Sequence, residues 1–272
     1  MLLRMLFNKI DHMIISTPLI KKYIVLITGL LFIQNLTAQK KNVKDTLNQS
    51  TSKNLKFNYK QVVIPTLLIG YGVIALDSDY LKDLNLNIRN EVIEDIDKKV
   101  TIDDFLQYTP ALSVYALNTI GIKGKNNLKD RSVILATSLL LVATSVTAIK
   151  KLAKEERPDG SNADSFPSGH TAFAFAGAEF LYQEYKDVSI WYGVSGYVVA
   201  TATGAFRIYN NKHWLSDVVA GAGFGILSTK AAYWFSPYLN KHIFPSMTGK
   251  TTAMFTPTYD GKKMGGAFVL QF

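Results

Sequence analysis

The sequence predicts an all-α fold, a helical bundle of about six apolar helices followed by a short C-terminal β-hairpin. Three observations support this fold class: six apolar segments of helical length, polar residues between them, and a change of pattern after residue 250. The chain has 272 residues, 48% of them hydrophobic, which suffices for one substantial core.

The apolar segments divide the chain in a regular order. Pro65 and Pro110 are expected to kink or delimit their helices, and residues 87–99 form a charged amphipathic stretch. The six predicted helices are 62–76, 105–121, 132–149, 170–185, 188–206 and 214–238.

The two ends of the chain differ from this pattern. Residues 1–38 resemble a signal peptide or N-terminal anchor, with Lys21 and Lys22 before an apolar run and with Ala38 as the expected cleavage position. Asp260 and Gly261 separate two strand-like runs in the tail, so the hairpin is expected to cap the bundle. The predicted organisation is a leader at 1–38, a polar linker at 39–60, the main domain at 61–240 and a hairpin tail at 241–272.

Composition limits the classes of partner. The formal net charge is +9, and it falls to +6 if residues 1–38, with four basic residues and one acidic residue, are removed. A basic chain favours anionic substrates or anionic lipid surfaces. The positive charge forms no basic aromatic stripe, so nucleic acid is not an expected partner. Without cysteine the chain has no disulfides and no thiolate metal ligands.

His213 and Asp217 form the first candidate catalytic pair. They are four residues apart, so both lie on one face if the segment is helical. A carboxylate that holds one ring N–H of an imidazole leaves the other nitrogen free to attack and stabilises the positive charge that develops. His213 is therefore the candidate nucleophile, and Asp217 is its orienting partner.

A second group opens a predicted helix. Ser168, Gly169 and His170 follow Pro167 and precede an apolar run. Free N–H groups at a helix start bind phosphate oxygens, a glycine allows close approach, and a serine adds a hydroxyl donor. His170 could protonate a leaving oxygen.

Three cations complete the pattern. Lys150 and Arg157 follow the third apolar segment, and Arg207 ends the fifth. Guanidinium groups bind phosphoryl oxygens in a planar fork, whereas a lysine supplies a point charge. In an up-and-down bundle these cations share one end with His170 and His213, so the sequence predicts a phosphate-ester site there.

The order of these residues resembles the PAP2 superfamily of phosphatidic acid phosphatases, acid phosphatases and vanadium haloperoxidases. The shared motifs are Lys-x6-Arg-Pro, Pro-Ser-Gly-His and Arg-x5-His-x3-Asp, from Lys150 to Asp217. The resemblance implies phosphate binding by Lys150, Arg157, Ser168, Gly169 and Arg207, with His170 as general acid and His213 as the residue that becomes phosphohistidine. It implies no metal and no cofactor. Phe206 stands where the family usually has serine, which removes a hydroxyl beside the site.

The resemblance leaves two other functions open. The expected activity is hydrolysis of a phosphomonoester or pyrophosphate, with a phosphatidate, a prenyl pyrophosphate or lipid A as the leading substrate type. The alternatives are a vanadium-dependent haloperoxidase and a non-catalytic anion-binding protein of the envelope. His12 and His242 lie outside the motifs and receive no role, and a structural role is expected for Glu179.

The expected location is the bacterial cell envelope, in or on the membrane, with the catalytic end facing the periplasm. By the positive-inside rule, the basic residues in 123–131 face the cytoplasm, so the catalytic end faces outward. The same topology puts residues 40–60 inside, whereas a cleaved leader would put residues 40–60 outside. Either the leader is retained, or one early segment does not span, or the bundle is only attached to the membrane. Neither the exact substrate nor the oligomeric state is predicted.

Overall fold

The computed structural model describes residues 57–93 and 101–243, and the backbone of 252–259 and 264–271. The predicted leader and most of the predicted linker lie outside these residues. The first two ranges contain helices and no strands, which confirms the all-helical main part. The helices are α1 (Lys60–Ala75), α2 (Asp79–Ile93), α3 (Asp103–Leu106), α4 (Thr109–Thr119), α5 (Leu128–Ala153), α6 (Gly169–Tyr185), α7 (Ile190–Tyr209) and α8 (Leu215–His242).

Two predicted segments differ from the observed helices. The single helix expected at 105–121 is divided into α3 and α4, and Pro110 lies in the first turn of α4. Because proline has no N–H to continue a preceding helix, the break falls before it. The charged amphipathic stretch at 87–99 overlaps α2, which begins eight residues before that stretch, directly after the turn that ends α1.

Helix α6 forms the centre of the domain and contacts α4, α5, α7 and α8. Its alanines Ala172, Ala174, Ala176 and Ala178 are fully buried. A β-carbon added to Gly225 of α8 would lie 2.2 Å from the carbonyl oxygen of Ala172, so only glycine permits this helix spacing. Small residues therefore bring α8 close against α6 where Gly225 faces Ala172.

A polar cluster inside the bundle accounts for Glu179. Its carboxylate lies 2.7 Å from Nζ of Lys230 and accepts hydrogen bonds from Gln183, at 2.6 Å, and from the Tyr197 hydroxyl. Since a buried charge is tolerated when it is paired and hydrogen-bonded, these contacts give Glu179 a structural role that joins α6, α7 and α8.

Within the described residues, one helix, α5, is long and apolar enough to cross a membrane. Helices α1 and α2 are together also long and apolar enough for one span, but they meet at an angle of 93°. Beyond α8, strands β1 (Thr252–Tyr259) and β2 (Met264–Gln271) pair antiparallel, with Thr252 opposite Gln271. The expected role of this tail as a cap on the bundle, and the predicted domain boundaries, stay predictions.

Candidate active site

The candidate site lies where the starts of α6 and α8 meet. The backbone N–H of Ser168 donates to the carbonyl oxygen of Asp217 at 3.0 Å. A β-carbon on Gly221 would come within 2.5 Å of the Ser168 carbonyl oxygen, so glycine at this position lets the two helix starts touch. The loops 154–168 and 210–214 follow α5 and α7, so the ends of these two helices also reach this region.

His213 and Asp217 are close, and Ser165 lies between them. Nδ1 of His213 is 3.5 Å from Oδ2 of Asp217 and 3.4 Å from Oγ of Ser165. The Ser165 hydroxyl donates to Oδ2 of Asp217 at 2.5 Å, and the backbone N–H of Trp214 donates to the same oxygen at 2.9 Å. The side chains of Ser165 and Asp217 therefore hold the Nδ1 side of the imidazole and leave Nε2 as the nitrogen available to react.

The surroundings of His213 favour its neutral form. The ring is 2% exposed. Burial first, and then the nearby charges of Lys150, Arg207 and Arg157, hold its pKa well below the ordinary value. A neutral imidazole at pH 7 has a free lone pair, which a nucleophile needs.

The pKa of Asp217 is shifted in the opposite direction. Burial raises the pKa of its carboxyl to about 6, against the lowering effect of the hydrogen bonds from Ser165 and Trp214. Among the described residues, its Oδ1 is buried without a hydrogen-bond partner. The carboxylate is thus ionised above about pH 6 and can stabilise a positive charge on the His213 ring.

Lys150 and Arg157 approach the site from the end of α5 and from the loop after it. Nζ of Lys150 donates to the carbonyl oxygens of Asp164 and of Ser165, the latter at 3.3 Å. Nε of Arg157 lies 2.8 Å from the Asp164 carboxylate. The loop turns back tightly, since the Arg157 N–H donates to the Asn162 carbonyl oxygen at 3.0 Å.

Arg207 enters from the last turn of α7 and is 8% exposed. Its Nη1 lies 2.8 Å from Oδ2 of Asp103, a residue of α3. The other oxygen of Asp103 accepts from Asn210 at 3.1 Å. Within the described residues, Nε of Arg207 is buried without a partner, so one face of the guanidinium keeps an unused donor.

The Pro-Ser-Gly-His segment starts α6 as predicted. Ser168 is the N-cap, and its Oγ accepts from the Thr171 N–H at 3.5 Å and contacts Oγ1 of Thr171 at 2.9 Å. Its hydroxyl therefore caps the helix, and a part for Ser168 in phosphate binding stays a prediction, as does one for Gly169, the first residue of α6. Nε2 of His170 lies 2.9 Å from Oδ1 of Asp104.

Four contacting residues were not predicted from the sequence. Ser165 contacts His213, and Asp164 pairs with Arg157. Asp103 contacts Arg207, and Asp104 contacts His170. The adjacent acidic pair at 103–104 was the one available signal, but nothing in the chain linked it to residues some hundred positions later. Phe206, in place of the usual serine, packs edge-on against Tyr209 with ring centres 6.4 Å apart.

Comparisons with known proteins found a family model and two curated relatives that are similar to this chain. Residues 131–241 match the family model of the PAP2 superfamily. The chain is 42% identical over 136 residues to a lipid A 1-phosphatase of Porphyromonas gingivalis, covering 50% of this chain and 31% of that protein. It is 35% identical over 78 residues to the bacitracin transport permease protein BcrC of Bacillus licheniformis, covering 28% of this chain and 36% of that protein.

Two solved structures are also similar. The crystal structure of Aquifex aeolicus LpxE is 25% identical with a TM-score of 0.41, over 55% of this chain and 94% of that one. The crystal structure of the PAP2 type phosphatidylglycerolphosphate phosphatase from Bacillus subtilis is 19% identical with a TM-score of 0.45, over 68% and 100%. The match spans about a third of the length of the curated relatives. Segment 131–241, which matches the PAP2 family model, contains all three motifs.

Proposed function

We propose that this protein is a phosphatase that hydrolyses a phosphomonoester or pyrophosphate of a lipid through a phosphohistidine intermediate. The observation that carries the proposal is the arrangement around His213: a neutral imidazole held by Ser165 and Asp217, with its pKa lowered by burial and then by three nearby cations. A nucleophile surrounded by positive charge is suited to a phosphoryl group.

The first chemical step forms a P–N bond. Nε2 of His213 attacks phosphorus, the bond to the leaving oxygen breaks, and His170 gives that oxygen a proton. Lys150, Arg157 and Arg207 compensate the charge on the non-bridging oxygens, and Asp217 compensates the charge on the ring. Phosphate binding would displace contacts that these cations now make, such as that of Arg157 with Asp164.

The second step returns the enzyme to its starting state. Water attacks phosphorus, His170 takes the proton from that water, and the P–N bond breaks to release phosphate and neutral His213. Protein cations alone balance the charge in this scheme, so we propose that the reaction requires no metal.

The lipid part of the proposal has two supports. The relative with 42% identity is named a lipid A 1-phosphatase. Helix α5, which ends at the site, carries the exposed apolar side chains Leu140 and Leu152 and has the length of a membrane span. We propose association with the membrane of the cell envelope, export of the chain, and a catalytic end that faces the periplasm.

Phosphate release tests the proposal. The protein is assayed with lipid A, with a prenyl pyrophosphate and with a water-soluble phosphate ester, each with and without EDTA. We expect release from at least one lipid, resistant to EDTA and absent from the His213→Ala variant. No release from any substrate, or equal release by the variant, contradicts the proposal. Bromide oxidation by vanadate-loaded protein without phosphate release would favour a haloperoxidase instead.

A further inference from the structure

Asp104 touches the proposed general acid from a part of the chain that no motif includes. Its Oδ1 lies 2.9 Å from Nε2 of His170, although the two residues are 66 positions apart. Both side chains are partly exposed, at 53% for Asp104 and 30% for His170. The contact therefore lies at the solvent-exposed edge of the site.

The position of Asp104 is fixed by its neighbour. Asp103 is 1% exposed and is bound by Arg207 at 2.8 Å and by Asn210 at 3.1 Å. The Gln107 side chain donates to the Asp104 carbonyl oxygen at 2.9 Å, which closes the end of α3. Helix α3 is thus attached to α7 through Asp103, and this attachment presents Asp104 to His170.

The charges around His170 show why such a carboxylate is useful. An acid must carry a proton, yet burial and the Arg207 guanidinium both lower the pKa of His170, and His213 also lies nearby. The carboxylates of Asp104 and Asp103, both on α3, raise the pKa of His170. A carboxylate in contact with the ring favours the protonated form that the first step consumes.

On the basis of the proposed function, we propose that Asp104 is a positioning residue that holds the Nε2–H of His170, so that Nδ1 faces the leaving oxygen. In the first step Nδ1–H passes its proton to that oxygen, and the neutral ring keeps its Nε2–H bond to Asp104. In the second step Nδ1 takes a proton from the attacking water. Asp104 itself neither gains nor loses a proton.

A cation site is the rival explanation for the same residues. The ligand atoms of Asp103, Asp104 and His170 lie within 4.8 Å of one another, a spacing that could hold a metal ion. However, both oxygens of Asp103 already bind Arg207 and Asn210. A metal would have to compete with Arg207 or Asn210 for an Asp103 oxygen, whereas a hydrogen bond from His170 to Asp104 leaves these contacts intact.

The test compares Asp104→Asn with the wild type, and Asp187→Asn is the matched control. Asp187 is an exposed aspartate just beyond the far end of α6, so its replacement removes the same charge away from the site. Each variant is assayed on a nitrophenyl phosphate, which has a good leaving group, and on an alkyl phosphate, which has a poor one. The pKa of His170 is measured independently of activity by NMR titration of the four histidines, with His170→Asn used for assignment.

We expect Asp104→Asn to lower kcat about tenfold on the alkyl phosphate and much less on the nitrophenyl ester, since only the poor leaving group needs the acid. The NMR pKa of His170 should fall, Asp104→Glu should restore part of the rate, and EDTA should have no effect. In a His170→Asn background the Asp104 change should have no further effect.

Several results would overturn this inference: equal losses on both substrates, an additional loss in the His170→Asn background, an unchanged His170 pKa, or activity that EDTA abolishes and a divalent cation restores. If the wild type releases no phosphate from any substrate but the NMR pKa of His170 still falls in Asp104→Asn, the proposed function fails and the contact between Asp104 and His170 stands. The two failures are therefore distinguishable.

Discussion

Ser165 bridges Asp217 and His213, since its hydroxyl donates to Oδ2 of Asp217 at 2.5 Å and lies 3.4 Å from Nδ1 of His213. The direct distance between the imidazole and the carboxylate is 3.5 Å, which is long for a hydrogen bond. The orienting unit is therefore a serine, an aspartate and a histidine, in place of the pair that the spacing alone predicted.

Replacement of Ser165 by alanine should reduce turnover without removing any proposed reacting group. His213 would lose a contact at Nδ1, and Asp217 would lose the hydrogen bond that lowers its pKa. We expect kcat to fall by about one order of magnitude, as for other partners that orient a reactive histidine. The rising limb of the pH profile should move to higher pH. Steady-state kinetics between pH 5 and 8 measure both effects, and a variant with wild-type kcat would show that Ser165 does not hold the imidazole.

Asp217→Asn should make the protein less active and more stable. Burial raises the pKa of this carboxyl from 3.8 to about 6, so its ionisation in the folded protein costs up to about 3 kcal/mol at pH 7. An asparagine avoids this cost. The cost is absent below the unfolded pKa of 3.8, grows as the pH rises towards the folded pKa, and is constant above it.

Thermal unfolding of both proteins at several pH values measures this difference. The variant should have the higher Tm at pH 7.5, and its advantage should disappear as the pH falls towards 4. Its turnover should drop by roughly 10²- to 10⁴-fold, because an amide cannot stabilise the imidazolium as a carboxylate does. A variant that is less stable than the wild type at pH 7.5 would show that ionised Asp217 does not destabilise the folded protein.

The pH profile of kcat/KM should have its maximum on the acidic side of pH 7. Asp217 must be ionised, so activity rises as the pH passes about 6. His170 must be protonated, and burial together with Arg207 lowers its pKa, so activity falls at a lower pH than an ordinary histidine would give. His213 is already neutral over this range, so its titration produces neither limb of the pH profile. Activity that stays constant up to pH 8 would exclude His170 as the acid of the free enzyme.

Gly225→Ala tests the close packing of α6 and α8. The added methyl group would lie 2.2 Å from the Ala172 carbonyl oxygen and 2.8 Å from the Ala176 nitrogen, so the helices would have to move apart. We expect a loss of about 1–3 kcal/mol in the free energy of unfolding.

Gly70→Ala, in α1, is the control, because nothing lies within 4 Å of its added methyl group. That change should be neutral or stabilising by up to about 1 kcal/mol. Denaturant unfolding of both variants gives the comparison, and equal stabilities would contradict the packing argument.

Much of the site could be predicted because its residues occur in local patterns. His213 and Asp217 are four positions apart, although His213 lies in the loop before α8 and only Asp217 is helical, and His170 is the second residue of α6. Lys150 and Arg207 occupy the last turns of α5 and α7. A helix end is a position that apolar periodicity reveals, so these residues could be placed together before the fold was known.

The remaining contacts could not be predicted because they join distant parts of the chain. Asp103 and Arg207 are 104 positions apart, and Ser165 and Asp217 are 52 positions apart. Helix α3 has four residues, too short to show any periodicity, and its separation from α4 depends on Pro110. Such contacts depend on how the helices pack, which spacing along the chain does not encode.

The most direct test of the account is to identify the phosphorylated residue during turnover. The enzyme is mixed with a radiolabelled phosphate substrate, quenched in alkali, digested, and analysed by mass spectrometry under conditions that preserve P–N bonds. We expect an acid-labile phosphoryl group on His213 that accumulates in a His170→Ala variant, whose second step lacks a base, and that is absent from His213→Ala. Phosphate on another residue, or full turnover by His213→Ala, would contradict the central claim.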